Sequence, residues 1–207
     1  MSHDDFAIEP VRGLPERPPE GETILWQGKP NAWALTRQAL SFWWVMGYFV
    51  FLAVWRLVAA VDIMPLGQAI GIAVPFLILG AIVGGLLFFT AWVQARATVY
   101  TITDKRIAMR VGAALTITIN VPFTQIASAD LDLRKDGNGT IALTTLGEVQ
   151  FAYLVLWPHV RPWHFPAKPA LRCIPDAARV ARLLGEAAEA RVSMPQIGMV
   201  DAPVAAE

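Results

Sequence analysis

Two long apolar runs constrain this chain more than any other feature of its sequence. Residues 39–61 form a run of 23 with one charge, and residues 69–93 form a run of 25 with none. At about 1.5 Å of rise per residue, a helix of either length crosses the ~30 Å hydrocarbon core of a bilayer. The composition agrees, because 55% of the chain is hydrophobic and only 16% is charged. We therefore predict two transmembrane helices.

The connection between the runs predicts an antiparallel hairpin with both chain termini in the cytoplasm. Residues 62–68 contain no Lys or Arg, whereas basic residues flank the outer ends of both runs. Positive residues favour the cytoplasmic side, and Trp favours the membrane interface. An Arg near the end of a span reaches the headgroups with its long side chain. The predicted interface anchors are Trp43, Trp44, Trp92 and Arg56.

Two pairs of glycines, each spaced by four, lie in or next to the second run. Such pairs let two helix backbones approach closely. Gly80 and Gly84 form one pair, while Gly67 and Gly71 form another that faces roughly away from the first. Because a hairpin of two helices buries little surface by itself, we predict that the Gly80–Gly84 face packs against another chain.

After the second run, the hydrophobic period changes from helical to alternating. Alternation and turn residues predict strands, here within residues 97–112 (two strands), 114–121, 126–133, 140–146 and 148–157. Residues 174–191 then place apolar side chains three and four apart, which predicts an amphipathic helix. The pattern predicts a small β-barrel or sandwich capped by a C-terminal helix.

Several of these segments resemble bacterial pleckstrin-homology-like membrane proteins in their order around the hairpin. They include "GETILWQGKP" before it and "YTITDKRIAMRVG" and "NVPFTQIASADL" after it. With "LPERPPEGE" and "WPHVRPW", residues 12–190 resemble the PuhB family of photosynthetic complex assembly proteins of purple phototrophic bacteria. The resemblance implies a non-enzymatic, chaperone-like factor in the bacterial inner (intracytoplasmic) membrane. It also implies that reaction-centre subunits and core light-harvesting polypeptides are the partners.

The expected fold is therefore that of an α+β membrane protein, a two-helix hairpin with a cytoplasmic pleckstrin-homology-like domain. The predicted organisation has five parts: a disordered tail (1–20), a first strand and lead-in (21–37), the hairpin (38–95), the pleckstrin-homology-like domain (96–191) and a second disordered tail (192–207).

The segment "WPHVRPWHFPAKP", residues 157–169, concentrates the residues that suggest a binding site. His159, His164 and Cys173 suggest zinc, but the prolines prevent a helix that presents both histidines, and the usual closely spaced ligand pairs are missing. A neutral imidazole of His159 or His164 is an alternative ligand for bacteriochlorophyll magnesium. Since prolines stiffen a segment and Trp and Arg dominate binding hot spots, we favour recognition. The contact candidates are Trp157, His159, Arg161 and Trp163.

Enzymatic function is not expected. Asp130 and Asp132 share one side of a predicted strand, but no nucleophile or third group accompanies them as an acid–base site requires. The formal net charge is zero, so nucleic acid is not an expected partner. We predict an assembly factor without a cofactor, which contacts partner polypeptides, membrane lipids and, as a homodimer, a second copy. The alternatives are a lipid-binding or membrane-organising module and a bacteriochlorophyll-handling protein.

Overall fold

The computed structural model describes residues 9–113, 116–147, 152–162 and 164–193. Its helices are α1 (Ala32–Ala39), α2 (Phe42–Val61), α3 (Leu66–Ala97), α4 (Tyr153–Leu156) and α5 (Ala177–Ser193). Its strands are β1 (Ile24–Gly28), β2 (Val99–Thr103), β3 (Arg106–Val111), β4 (Ile117–Pro122), β5 (Ile126–Leu133), β6 (Gly139–Thr145) and β7 (Ala170–Ile174).

Helices α2 and α3 form the hairpin that the apolar runs predict. They contain 20 and 32 residues, and an 18-residue stretch of each has a mean hydropathy of 1.9 and 2.6, respectively, so each is long and apolar enough to cross a membrane. At ~1.5 Å per residue, α3 is about 48 Å long and therefore exceeds the ~30 Å hydrocarbon core. Its last turns pack against the short helix α1. The predicted anchors Trp43, Trp44, Arg56 and Trp92 are all exposed.

The Gly80–Gly84 face packs inside the hairpin, so the prediction that it contacts another chain is wrong. A Cβ atom added at Gly80 would lie 2.8 Å from Cβ of Phe49, and one at Gly84 would lie 3.2 Å from Cε of Met46. Both partners belong to α2 of the same chain. The buried residues of α3 are all small and share this face: Ala69, Ala73, Gly80, Gly84, Ala91 and Ala95. Gly80 and Gly84 let the backbones of α2 and α3 approach closely, whereas Ala91 packs with Ala34 and Leu35 of α1.

The seven strands form two antiparallel sheets with the orders β1-β2-β3-β4 and β5-β6-β7. Apolar side chains from both sheets and from α5 make one core, whose largest fully buried members include Tyr100, Ile102, Ile107, Met109, Ile141, Leu143, Leu171 and Ile174. Helix α5 contributes Ala177, Val180 and Leu184 to this core. The domain is thus a sandwich with a capping helix, and the described residues do not close it into the barrel that the sequence also allowed.

The chain between β6 and α5 differs from the sequence prediction in two ways. The end of the segment predicted as a strand, residues 153–156, is one turn of helix. Residues 148–151, where that strand was to begin, lie outside the described residues. The last strand is instead Ala170–Ile174, which pairs with β6. Residues 157–169 therefore precede a strand and do not lead directly to the closing helix.

Residues 9–14 are packed against the domain, which corrects their assignment to a disordered tail. An Oε1 atom of Glu9 lies 2.6 Å from Nε of Arg110, and the side chain of Leu14 is buried. Gly13 adopts φ +82°, and a Cβ atom there would lie 2.5 Å from Cγ1 of Val99. Of the two predicted tails, residues 1–8 and 194–207 lie outside the described residues.

Helix α1 fastens the hairpin to the domain. Asn31 caps the helix, because its Oδ1 accepts the backbone N–H of Ala34 at 3.0 Å. The backbone N–H of Asn31 donates to the carbonyl of Cys173 on β7 at 2.8 Å. At the other end of α1, Arg37 forms an ion pair of 2.9 Å with Asp136 in the β5–β6 turn. The second sheet is thereby held beside the start of α2.

Candidate functional site

Residues 157–169, the segment that the sequence singles out, form a loop whose two sides are hydrogen-bonded to each other. The backbone N–H of Arg161 donates to the carbonyl of Lys168 at 3.0 Å. The backbone N–H of Ala170 donates to the carbonyl of His159, also at 3.0 Å. These hydrogen bonds hold the described residues on the two sides of the loop in place beside β7.

His159 is buried at the base of this loop, with 1% of its surface exposed. Its Nε2 lies 3.0 Å from Oγ1 of Thr98, and its Nδ1 lies 2.6 Å from the hydroxyl of Tyr100. The same hydroxyl accepts the backbone N–H of Arg172 at 3.2 Å. Every group is satisfied when Tyr100 donates its proton to Nδ1 and the Nε2–H of His159 donates to Thr98. His159 is then the neutral Nε2–H tautomer.

Burial explains the protonation state of this cluster. Loss of water, followed in importance by the charge of Arg172, lowers the pKa of His159 to about 3. Loss of water also raises the pKa of the Tyr100 hydroxyl. Near neutral pH both side chains are therefore uncharged, as a buried pair without a counter-ion requires.

The prediction that His159 contacts a partner is wrong, because the side chain is buried and both ring nitrogens are already bonded. For the same reason His159 has no free lone pair for zinc or for bacteriochlorophyll magnesium. Its role is structural: Thr98 directly follows α3, so His159 ties the loop to the end of that helix. His164 is partly exposed and is the remaining candidate of the two histidines.

The other contact candidates lie nearer the surface. The side chain of Trp157 is 42% exposed. Arg161 is partly exposed and donates from Nη1 to Oδ2 of Asp130 at 2.7 Å. Trp163 lies outside the described residues. Trp157 and Arg161 therefore remain accessible to a partner, as a recognition role needs.

Three apolar side chains near Trp157 enlarge this surface, and the sequence interpretation missed their role. Leu154 is 86% exposed, Val155 is 53% exposed and Phe165 is 77% exposed. The ring of Phe165 lies 5.2 Å from that of Tyr153, which holds the loop against α4. We call Leu154, Val155, Trp157 and Phe165 the α4 patch. Exposed apolar side chains gathered in this way mark interaction sites with proteins or membranes.

The two strand carboxylates do not form a catalytic pair in the structure. Asp130 is ion-paired with Arg161 at 2.7 Å, and Asp132 lies 3.7 Å from Arg134. All four side chains are 40% or more exposed, which is typical of a solvated strand face.

Cys173 is buried, and its thiol donates a hydrogen bond to Oε1 of Gln38 at 3.2 Å. Burial raises the pKa of this thiol to about 11, so it stays protonated and is neither a good nucleophile nor a metal ligand. Across the described part of the chain, no group of three His, Cys, Asp or Glu side chains is placed to hold a metal ion.

Comparison with known proteins relates the fold to a family. Residues 47–188 match the family model described as a bacterial PH domain. The chain is also 47% identical, over 202 residues, to a protein of Rhodobacter capsulatus that bears the description "Uncharacterized 23.7 kDa protein in puhA 5′ region". The match covers 95% of this chain and 94% of the relative. No solved structure matches significantly.

Proposed function

The chain belongs to the bacterial PH domain family, and from this premise we propose that it is a membrane-anchored assembly factor for the photosynthetic reaction centre and core light-harvesting complex. Its hairpin would hold the domain at the cytoplasmic face of the inner (intracytoplasmic) membrane, with both termini in the cytoplasm. It would act without a chemical step, as a chaperone does, through contacts of its helices and of the α4 patch with partner polypeptides.

The observation that carries this proposal is the relative from Rhodobacter capsulatus. It is encoded in the 5′ region of puhA, a reaction-centre gene, and is 47% identical to this chain along nearly its whole length. Neighbouring bacterial genes often serve one process. A role in photosynthesis is therefore the function that the comparison supports best.

The geometry supports a contact role. The α4 patch exposes large apolar side chains on α4 and on the loop that His159 fixes to the end of α3, so little conformational freedom is lost when a partner binds. Trp157 within the patch and Arg161 beside it are of the residue types that dominate binding hot spots. The outward faces of α2 and α3 are apolar and suit lipids or the helices of a partner.

Affinity purification from phototrophically grown cells in mild detergent tests the proposal. We expect reaction-centre subunits to co-purify with the tagged protein. Replacing Leu154 and Trp157 by Ser in one variant should lower their recovery at least tenfold, because losing a hot-spot residue typically costs ~2 kcal/mol or more. Leu25→Ser is the matched control, since Leu25 is also 42% exposed but lies on β1 of the other sheet.

Three outcomes would favour other functions. If the variant with Ser at both positions recovers as much partner protein as the wild type, the α4 patch is not the contact surface. Pigment absorbance that disappears in His164→Ala would favour a bacteriochlorophyll-handling protein. Recovery of lipid alone, together with normal phototrophic growth after gene deletion, would favour a lipid-binding or membrane-organising module and refute the assembly role.

A further inference from the structure

A cavity of about 270 Å³ lies over the outer face of the β5–β6–β7 sheet, and the loop that begins at Trp157 forms part of its wall. Its charged lining residues come from β5, β7 and the adjoining loops: Asp130, Asp132, Arg134, Arg161 and Arg172. The contact role proposed above does not use this cavity.

Arg172 is the unusual member of the lining. Only 5% of its surface is exposed, and its Nη1 donates to the backbone carbonyl of Pro158 at 3.0 Å. Its Nε is buried and has no hydrogen-bond partner among the residues that the structure describes. A guanidinium group stays protonated in proteins, so Arg172 carries a full charge into the interior. A buried charge without an opposite charge beside it is strongly unfavourable.

The remaining charges of the cavity are paired with each other. Asp130 forms its ion pair with Arg161, and Asp132 faces Arg134 at 3.7 Å. Three arginines and two carboxylates leave a net charge of +1 (3 − 2) in the lining. That uncompensated charge is on Arg172, whose side chain lines the cavity.

We propose that this cavity binds a phosphate group through Arg172, and that the phosphate belongs to a phospholipid headgroup. The volume is just below the ~300–1,000 Å³ of typical drug-sized ligand sites, which suits a small anion. Guanidinium groups match the geometry of phosphate oxygens. A neighbouring cleft shares Asp132 and Arg134 with the cavity and is also lined by Trp43 and Trp44, which open α2. The cavity thereby connects to the side of the domain that faces the predicted membrane interface.

The test uses the full chain in a maltoside detergent free of phosphate. Dioctanoyl phosphatidylglycerol, inorganic phosphate and uncharged dioctanoylglycerol are titrated separately, and binding is followed by thermal shift and native mass spectrometry. We expect phosphatidylglycerol to bind and raise the unfolding temperature, and dioctanoylglycerol to do neither. Inorganic phosphate that binds as tightly as the lipid would retain the anion site but refute the assignment to a headgroup.

Substitutions inside the cavity make the test specific. Arg172→Met keeps most of the side-chain volume and removes the charge, and it should weaken lipid binding at least tenfold because a charge-assisted hydrogen bond to the phosphate is lost. Arg179→Met removes a charge from an exposed position on α5 outside the cavity and should leave binding unchanged.

Two partly exposed residues keep the proposal testable even if Arg172→Met does not fold. Arg161→Gln lowers the net charge of the cavity by one and should weaken binding severalfold, whereas Asp130→Asn raises it by one and should strengthen binding severalfold. Opposite shifts in these two variants support the site. Equal affinity of the wild type, Arg161→Gln and Asp130→Asn for phosphatidylglycerol would overturn it.

Discussion

The buried histidine predicts a pH dependence of stability whose size follows from the structure. His159 has a pKa of about 3 in the folded protein and 6.5 as an unperturbed side chain. Between these values the unfolded chain binds a proton that the folded chain excludes. Stability therefore rises with pH in this window, and the contribution is lost as pH falls below 6.5. Each pH unit below 6.5 lowers the free energy of unfolding by ~1.4 kcal/mol, so at pH 5, which is 1.5 units lower, the loss is ~2 kcal/mol.

Thermal unfolding of the full chain in detergent, followed by intrinsic tryptophan fluorescence, measures this loss. For a chain of this size, 1 kcal/mol corresponds to a shift of about 2–4 °C, so protonation of His159 should lower the unfolding temperature by about 4–8 °C between pH 7.5 and pH 5. His159→Gln cannot take up the proton. We expect it to be less stable than the wild type at pH 7.5 but to lack this part of the pH dependence.

His164→Gln is the control, because His164 is partly exposed and its removal should leave the pH dependence intact. Hydrogen exchange gives a local readout, since the backbone amides of residues 159–161 should exchange faster at pH 5 in the wild type after correction for the intrinsic rate. The reasoning is refuted if His159→Gln loses as much stability between pH 7.5 and pH 5 as the wild type does.

Two further predictions concern the hairpin. Gly80→Leu should destabilise the protein by about 1–3 kcal/mol because the larger side chain forces α2 and α3 apart. Gly85→Leu is the control and should leave stability unchanged, since a side chain there meets nothing within 4 Å. Equal unfolding temperatures for the two variants would contradict the packing. Because Cys173 is buried and its thiol has a pKa of about 11, the native chain should resist maleimide. In intact cells, an introduced cysteine in the hairpin connection, Asp62→Cys, should then react with an impermeant maleimide. One in the β5–β6 turn, Lys135→Cys, should react only after the cells are permeabilised. The reverse result would contradict the proposed topology.

Much of the fold follows from local patterns. The two apolar runs are α2 and α3, alternation located β4 and β5 to within a few residues, and the turn at residues 135–139 located the start of β6. Short continuous apolar segments were less informative, because they do not distinguish a buried strand from a helical turn. Residues 153–156 were expected to be a strand and are helical, while Ala170–Ile174 is a strand that the sequence analysis left in a loop.

The candidate site was only partly predictable, because its burial depends on distant parts of the chain. The prolines argued against a zinc site at His159, and in the structure both of its ring nitrogens are hydrogen-bonded within the domain. Nothing local indicates, however, that Thr98 and Tyr100, some 60 residues earlier, lie across from its ring nitrogens. The sequence did carry an indication that Arg172 is a special residue, since a single Arg inside the apolar stretch "ALRCI" is unusual. That its Nε lacks a hydrogen-bond partner among the described residues is visible only in three dimensions.

Pairing of β1 with β2 has a consequence for synthesis of the protein. β1 ends at Gly28 and β2 begins at Val99, so 70 residues, which include both hairpin helices, lie between the two strands. At translation rates of ~5–20 residues per second, roughly 4–14 s pass between the synthesis of β1 and the synthesis of β2. If the hairpin spans the membrane as proposed, the strands meet only when both of its ends emerge on the same side of the bilayer. A chain that inserts just one helix leaves β1 and β2 on opposite sides, and its exposed sheet edge marks it for proteolysis.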